Sequence, residues 1–155
     1  MSPVRVGLGY DSHRFEAGRR LVLGGVEIEH SRGLGGHSDA DVLTHAVIDA
    51  LLGAAGLGDL GEHFPADDDR WRDADSLDLL RTVLGMLPGP VSNVDATVIA
   101  EEPPLKPRRS EMERNLTQAV GAPVSVKATT NERLGWIGRG EGIACVATAL
   151  VETAE

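Results

Sequence analysis

Asp11, His13 and His45 are the residues of this 155-residue chain whose types best suit shared chemistry. Asp11 and His13 stand two apart at the end of an alternating run, so on a strand they project to the same side. Asp41, His45 and Asp49 lie four apart, which places all three on one face of a helix. Two imidazoles and a carboxylate suit a zinc-like divalent ion, and three protein ligands leave a fourth position for water or substrate, as in catalytic centres. Asp41 and Asp49 would then orient imidazole N–H groups from behind. A second reading stays open on spacing alone, because Asp-x-His is short and common: unrelated polar histidines beside solvated helix carboxylates.

Three other stretches carry weaker signals. His37 precedes a helix N-terminus, where outward N–H groups favour an anion such as phosphate; a loop histidine without a task fits equally. The corner Thr129-Thr130-Asn131-Glu132 offers hydroxyls to a phosphate and a carboxylate to Mg²⁺, or is plain turn chemistry. Gly138-Arg139-Gly140-Glu141-Gly142 is a glycine-rich turn with a charged centre that lacks the Gly-x-x-x-x-Gly-Lys spacing of a phosphate loop.

Elements must position these side chains. Val4, Val6, Leu8 and Tyr10 alternate with Arg5, Gly7 and Gly9, which predicts a strand with the apolar set buried and Asp11 and His13 at its end. Ser38 as N-cap, with Asp41 three residues on, predicts a helix beginning at Asp39 in an acidic variant of the capping box. Val42, Leu43, Ala46, Val47, Ala50 and Leu51 form its inner face, and Gly53 or Gly56 ends it. Gly24-Gly25, flanked by Leu21–Leu23 and Val26–Ile28, reads as a two-residue hairpin turn. Residues 57–69 have no period and read as a loop. Further helices are expected over 75–87, and up to Gly121 with Met112, Leu116, Ala119 and Val120 inside. Strands are expected over 93–100, 124–129 and 143–151, the last being the most apolar and closing the sheet, while Pro103 to Pro107 is extended. Strict βαβ alternation is absent, so the class is α+β: a mixed four- to five-stranded sheet with helices packed on one face.

Length predicts one domain over 1–155 that buries roughly 70% of its unfolded surface. A net charge of −9, with 15 basic residues in no long cluster, argues against nucleic acid and requires local positive charge for any anionic substrate. The single cysteine, Cys145, excludes an internal disulfide and reads as a packed thiol in a reducing compartment. With no signal-peptide pattern and no apolar run near the ~20 residues of a membrane span, the expected location is cytoplasmic.

Several ordered motifs together resemble the 2-C-methyl-D-erythritol 2,4-cyclodiphosphate synthases of non-mevalonate isoprenoid biosynthesis, over nearly the whole chain. They are Gly-Tyr-Asp-Ser-His (9–13), His-Ser-Asp-Ala-Asp (37–41) with His45, Gly-Asp-Leu-Gly (58–61), Phe64-Pro65, Ala-Asp-Ser (74–76), Asn-Val-Asp (93–95), Lys-Ala-Thr-Thr-Asn-Glu (127–132) and Gly-Arg-Gly-Glu-Gly-Ile-Ala-Cys (138–145). The resemblance implies a lyase that converts 4-diphosphocytidyl-2-C-methyl-D-erythritol 2-phosphate to the cyclic diphosphate and CMP. It implies a homotrimer, sheets facing its axis, with active sites between subunits. Zinc would be held by Asp11, His13 and His45, and Mg²⁺ or Mn²⁺ by Glu132. His37 and Ser38 would flank the diphosphate, with Thr130 assisting at the reacting phosphates. Asp59, Leu60, Gly61, Phe64, Pro65, Asp67 and Asp68 would form the methylerythritol pocket. Ala100, Pro103, Leu105, Lys106, Ala128 and Thr129 would form the cytidine pocket of the adjacent subunit. Trp136 and Arg139 complete the expected contacts, and a threefold channel is a candidate site for an isoprenoid diphosphate.

Two departures from the family pattern stand out. Ala66 replaces the usual first acidic residue after Phe-Pro, and Lys106 follows Pro103-Pro104-Leu105 two places later than the usual lysine. Two rival functions remain at this level: a zinc hydrolase that ionises water at the open position, and a non-catalytic isoprenoid-diphosphate binder using Arg139 and Glu141.

Overall fold

Glycine decides which face of the first strand is buried. In the computed structural model, which describes residues 2–153, β1 spans Val4–Glu16 and lies against helix α1, Val42–Ala55. A Cβ at Gly7 would sit 1.8 Å from the Ala50 carbonyl oxygen and one at Gly9 would sit 2.0 Å from that of Ala46, so strand and helix backbones touch. The expected burial is therefore inverted. Val4, Val6, Leu8 and Tyr10 occupy the outer face, 53–72% exposed, while Gly7, Gly9, Asp11 and His13 share the helix side. The strand also continues past Asp11 to Glu16, which leaves the two candidate ligands in its interior rather than at its end.

The helix starts three residues later than the Ser38 cap predicts. Ala40 has a positive φ of 57°, and Asp41 is the N-cap. The buried Asp41 carboxylate accepts from Thr44 N (3.0 Å) and Thr44 Oγ1 (2.8 Å), and from Gly24 N (2.9 Å) and Gly25 N (2.8 Å) of the hairpin turn. One side chain thus caps α1 and docks the hairpin of β2 (Leu21–Leu23) and β3 (Val26–Ile28) on its start. Both turn glycines have positive φ, 57° and 71°, as a primed two-residue turn demands. Gly56 ends the helix at φ 69°.

After β4 (Gly33–Leu34), the expected 57–69 loop contains a one-turn helix α2, Leu60–His63, and a 3₁₀ turn, Asp69–Trp71. Asp59 and Asp68 cap them, and single turns are too short to leave a period in the sequence. Helix α3 (Ser76–Leu84) ends at Gly85 rather than at Leu87. Strand β5 (Val91–Ile99), helix α4 (Arg109–Val120) and strand β6 (Val124–Thr129) form a parallel crossover, with Met112, Leu116 and Val120 buried as expected. The extended 103–107 segment runs into a 3₁₀ turn at Lys106–Arg108. A short helix α5 (Gly135–Gly138) precedes β7 (Gly142–Glu152).

The five-stranded sheet has the order β4-β1-β7-β5-β6. Thus β7 lies at its centre instead of closing it, which explains its apolar composition: both edges are paired and Cys145, Ala147, Ala149 and Val151 are buried. Burial pushes the Cys145 thiol's pKa up, so the cysteine is a packed, protonated side chain. Helices α1 and α4 cover the same sheet face, and the α+β class holds. Among the described residues, no helix is long and apolar enough to cross a membrane.

Candidate metal centre and flanking pockets

Asp11, His13 and His45 meet where β1 passes under α1. Asp11 Oδ2 lies 2.9 Å from His13 Nε2 and 3.1 Å from His45 Nδ1, and the two ring nitrogens are 3.4 Å apart. A tetrahedral centre with ligand bonds of ~2.0–2.1 Å separates its donor atoms by about 3.3 Å, so one small cation fits among these three. His13 Nδ1 donates to the Gly35 carbonyl at 2.9 Å, which leaves its Nε2 lone pair facing the cluster. Burial raises the Asp11 pKa, but in the metal-free protein the N–H groups and charge of His13 and His45 in their protonated form outweigh it and hold the carboxyl at about 2. The donor set, its spacing and the ionised carboxylate all suit a zinc-like ion.

The orienting groups are not those expected. Asp41 is spent on the hairpin and the helix cap, and Asp49 accepts from Leu60 N at 2.8 Å; neither is among the hydrogen-bond partners of the two imidazoles. His45 Nε2 instead faces Ser76 Oγ at 2.8 Å and Ser38 Oγ at 3.2 Å. Nothing in local spacing links residues 45 and 76, because the contact exists only once α3 packs beside α1.

His37 donates from Nε2 to the Asp68 carbonyl at 2.9 Å, tying the approach to the helix that carries His45 to the 64–68 segment. That segment packs inward through Phe64, which meets Trp71 edge-on at 4.9 Å, while Pro65 is half-buried and Asp67 exposed. Asp68 is paired with Arg70, which holds its pKa down. Asp49 anchors the turn of Asp59, Leu60 and Gly61 to α1, so these residues border the helix that carries His45.

A recess of about 340 Å³ is lined by Ala100, Glu101, Pro103, Pro104, Leu105, Lys106, Ala128, Thr129 and Thr130. Ala100, Pro103, Leu105, Lys106, Ala128 and Thr129 are the set that the family resemblance groups, and the late Lys106 does line this wall. Glu101, which sequence reasoning missed, accepts from Asn131 N (3.2 Å) and Arg133 N (2.6 Å) and so braces a turn in which Glu132 and Arg133 have φ of 53° and 61°. Glu132 is exposed and does not join the Asp11, His13 and His45 group. Asp11, Cys145, Val98 and Ala128 are successive partners across β1, β7, β5 and β6, so three strand spacings, about 14 Å, separate the metal strand from this recess. Trp136 shares a smaller recess with Ser12, His13 and Arg14, while exposed Arg139 pairs with Glu141 at 2.7 Å.

Residues 4–152 match the model of the YgbB family. The chain belongs to the YgbB family. This YgbB chain is 54% identical over 160 residues to 2-C-methyl-D-erythritol 2,4-cyclodiphosphate synthase of Salinibacter ruber, a match covering 97% of this chain and 100% of that one. Bifunctional IspDF of Campylobacter jejuni superimposes with a TM-score of 0.93 at 38% identity; all of this chain is covered, and it spans 44% of the length of that chain. IspF of Plasmodium falciparum, solved as a CDP complex, superimposes with a TM-score of 0.84 at 31% identity over 99% of each chain. Membership makes the YgbB chain an enzyme, kin to the cyclodiphosphate synthases.

Proposed function

We propose that the chain, as one domain, converts 4-diphosphocytidyl-2-C-methyl-D-erythritol 2-phosphate to 2-C-methyl-D-erythritol 2,4-cyclodiphosphate and CMP. An oxygen of the 2-phosphate bonds to the β-phosphorus, and the bond from that phosphorus to the oxygen bridging it to the α-phosphate breaks. The electron pair leaves with CMP, no water is consumed, and the enzyme is a phosphorus–oxygen lyase. The observation that carries this reading is the convergence of Asp11, His13 and His45 on one cation-sized space.

The chemical obstacle is repulsion between phosphates. Unit charges 4 Å apart interact by about 4 kcal/mol at an effective dielectric near 20, and a protein of net charge −9 offsets none of it at long range. Zinc held by Asp11, His13 and His45, with Mg²⁺ or Mn²⁺ held by Glu132, would supply local positive charge at the phosphate oxygens when bound. The protein's own work is positioning, since well-oriented intramolecular reactions reach effective molarities of ~10⁵–10⁸ M. His37 and Ser38 flank the diphosphate, and Thr130 hydrogen-bonds the reacting phosphates. Asp59, Leu60, Gly61, Phe64, Pro65, Asp67 and Asp68 hold the methylerythritol, and Trp136 and Arg139 border the phosphates. Ala100, Pro103, Leu105, Lys106, Ala128 and Thr129 hold the cytidine.

In one chain the cytidine recess is about 14 Å from the metal strand, across the sheet, which supports a site completed by a second copy. The outer face of β1, with Val4, Val6, Leu8 and Tyr10 exposed, supports a homotrimer whose sheets face the axis. The test is incubation of the purified protein with the cytidine substrate and Mg²⁺, with and without a zinc chelator. Cyclic diphosphate and CMP in equal amounts are expected, both abolished by the chelator. A linear phosphate product points to the hydrolase instead, and CMP release by a zinc-free His45→Ala variant at the parent rate defeats the metal assignment.

A further inference from the structure

To hold a cation, His45 must keep the lone pair on Nδ1, which faces Asp11 and His13, and the proton on Nε2. The ring has a competing choice. Nδ1 lies 3.1 Å from Asp11 Oδ2, so a proton there would form a hydrogen bond to that carboxylate and close the ligand position. What faces Nε2 therefore decides the tautomer. Ser76 Oγ and Ser38 Oγ stand 2.8 Å and 3.2 Å from it, and a free hydroxyl can donate or accept. The Ser76 hydroxyl is not free, because it donates to Asp39 Oδ1, and a carboxylate can only accept. With its proton committed, Ser76 Oγ presents lone pairs to His45, and Nε2 has to be the donor.

We infer that Asp39 and Ser76 are positioning residues that lock His45 in the Nε2–H tautomer and so set the affinity of the centre for its divalent ion. This rests on the metal-centre reading given above, and adds a hydroxyl relay to the usual carboxylate–imidazole pair. The relay is held firmly. Ser76 is 0% exposed, its backbone N–H donates to Asp39 Oδ2 at 3.0 Å, and Asp41 N–H donates to Asp39 Oδ1 at 3.1 Å. Asp39 thus joins the starts of α1 and α3 and passes that alignment to the imidazole. Ser38 lacks such a commitment, since its Oγ accepts from Ala40 N while its own proton stays free to rotate.

Ser76→Ala in the full chain removes Oγ while leaving the Ser76 N–H on Asp39, so α3 remains docked. Zinc affinity, measured by competition with a chromophoric chelator, is expected to fall about 10- to 100-fold. Nitrogen NMR of the zinc-free protein should show His45 shifting from Nε2–H toward Nδ1–H. Asp39→Asn can turn its amide N–H toward Ser76 Oγ and free the hydroxyl proton; it should reproduce both changes, and carries the test should Ser76→Ala not fold. Asp75→Ala cuts the α3 cap instead, and should lower Tm with zinc affinity and tautomer unchanged. Zinc affinity of both relay variants within about 2-fold of the parent, or an unchanged tautomer, overturns the inference. A parent chain that binds zinc but releases no CMP overturns the synthase reading alone, because affinity and tautomer are read without turnover.

Discussion

Replacing Gly9 with alanine places a Cβ 2.0 Å from the Ala46 carbonyl oxygen and 2.7 Å from Ala50 N. Cβ atoms essentially never come within 3.0 Å of such atoms, so α1 must withdraw from β1 by about 1 Å at this contact. Ala46 adjoins His45, and zinc bonds of ~2.0–2.2 Å tolerate shifts of only ~0.2 Å, so the withdrawal takes the imidazole out of reach of a cation held by Asp11 and His13. Zinc affinity should fall by more than the ~10- to 100-fold typical of losing an outer partner. Overpacking at a rigid backbone contact costs about 3 kcal/mol, the upper end of its usual range, which is a fall of roughly 6–12 °C in Tm for a chain of this size. Gly7→Ala is the paired perturbation: its Cβ would lie 1.8 Å from Ala50 O and 2.5 Å from Ala54 N, one helical turn further from His45. It should cost as much stability but less zinc, because α1 can tilt about its Asp41-capped start. Thermal unfolding and chelator competition on both variants decide the matter. Equal zinc loss in the two, or a Gly9→Ala protein with the parent's Tm, would refute the claim that β1–α1 contact sets ligand spacing.

In the metal-free protein, burial raises the Asp11 pKa but its histidine partners outweigh it and bring it down to about 2, so the stability it confers is present above 3.8 and lost as pH falls toward 2. Burial lowers the His13 pKa, but the Asp11 hydrogen bond and charge prevail and raise it, so that contribution is full below 6.5 and is lost as pH rises through the higher folded value. Tm of the apo protein against pH should therefore peak between about 4 and 6.5, and Asp11→Asn should flatten both limbs; an unaltered profile contradicts the pairing. Asp41→Ala strands Thr44, Gly24 and Gly25 donors in a buried setting and should cost about 3 kcal/mol or more, where a loss under about 1 kcal/mol in denaturant titration would show that water replaces the carboxylate. The proposed homotrimer predicts that the parent sediments as a trimer and that Leu8→Asp, at a side chain 68% exposed on the outer sheet face, sediments as a monomer with unchanged circular dichroism; a variant that sediments with the parent disproves the role given to that face.

What could be read from the sequence was whatever a local pattern determines. The period of Met112, Leu116 and Val120 carries α4 with its buried face, and Gly24-Gly25 carries the hairpin turn. Alternation in β1 has a period but no sign: it says that two faces differ, and the choice between them rests on Gly7 and Gly9 accepting a helix backbone that lies more than thirty residues later. The Ser38 cap failed for a similar reason, since Asp41 gains two hairpin donors that a local capping box does not include. Asp11, His13 and His45 were legible by residue type, whereas Ser76 was visible as a motif residue and not as a partner of His45. The sheet order explains this division. Because β7, last in the chain, lies beside β1, the first, Cys145 pairs with Asp11, and the Gly138–Gly142 turn ends on the strand next to the metal residues. Because β5 and β6 lie beyond β7, about 14 Å of sheet separates the Ala100 and Thr129 recess from Asp11, which supports the proposed site between two copies. The motifs therefore look unrelated along the sequence for a topological reason: the fold sets Asp11 and His13 on β1 and the Ala100 and Thr129 recess at the β5–β6 end of the same sheet, and the proposed site draws on both.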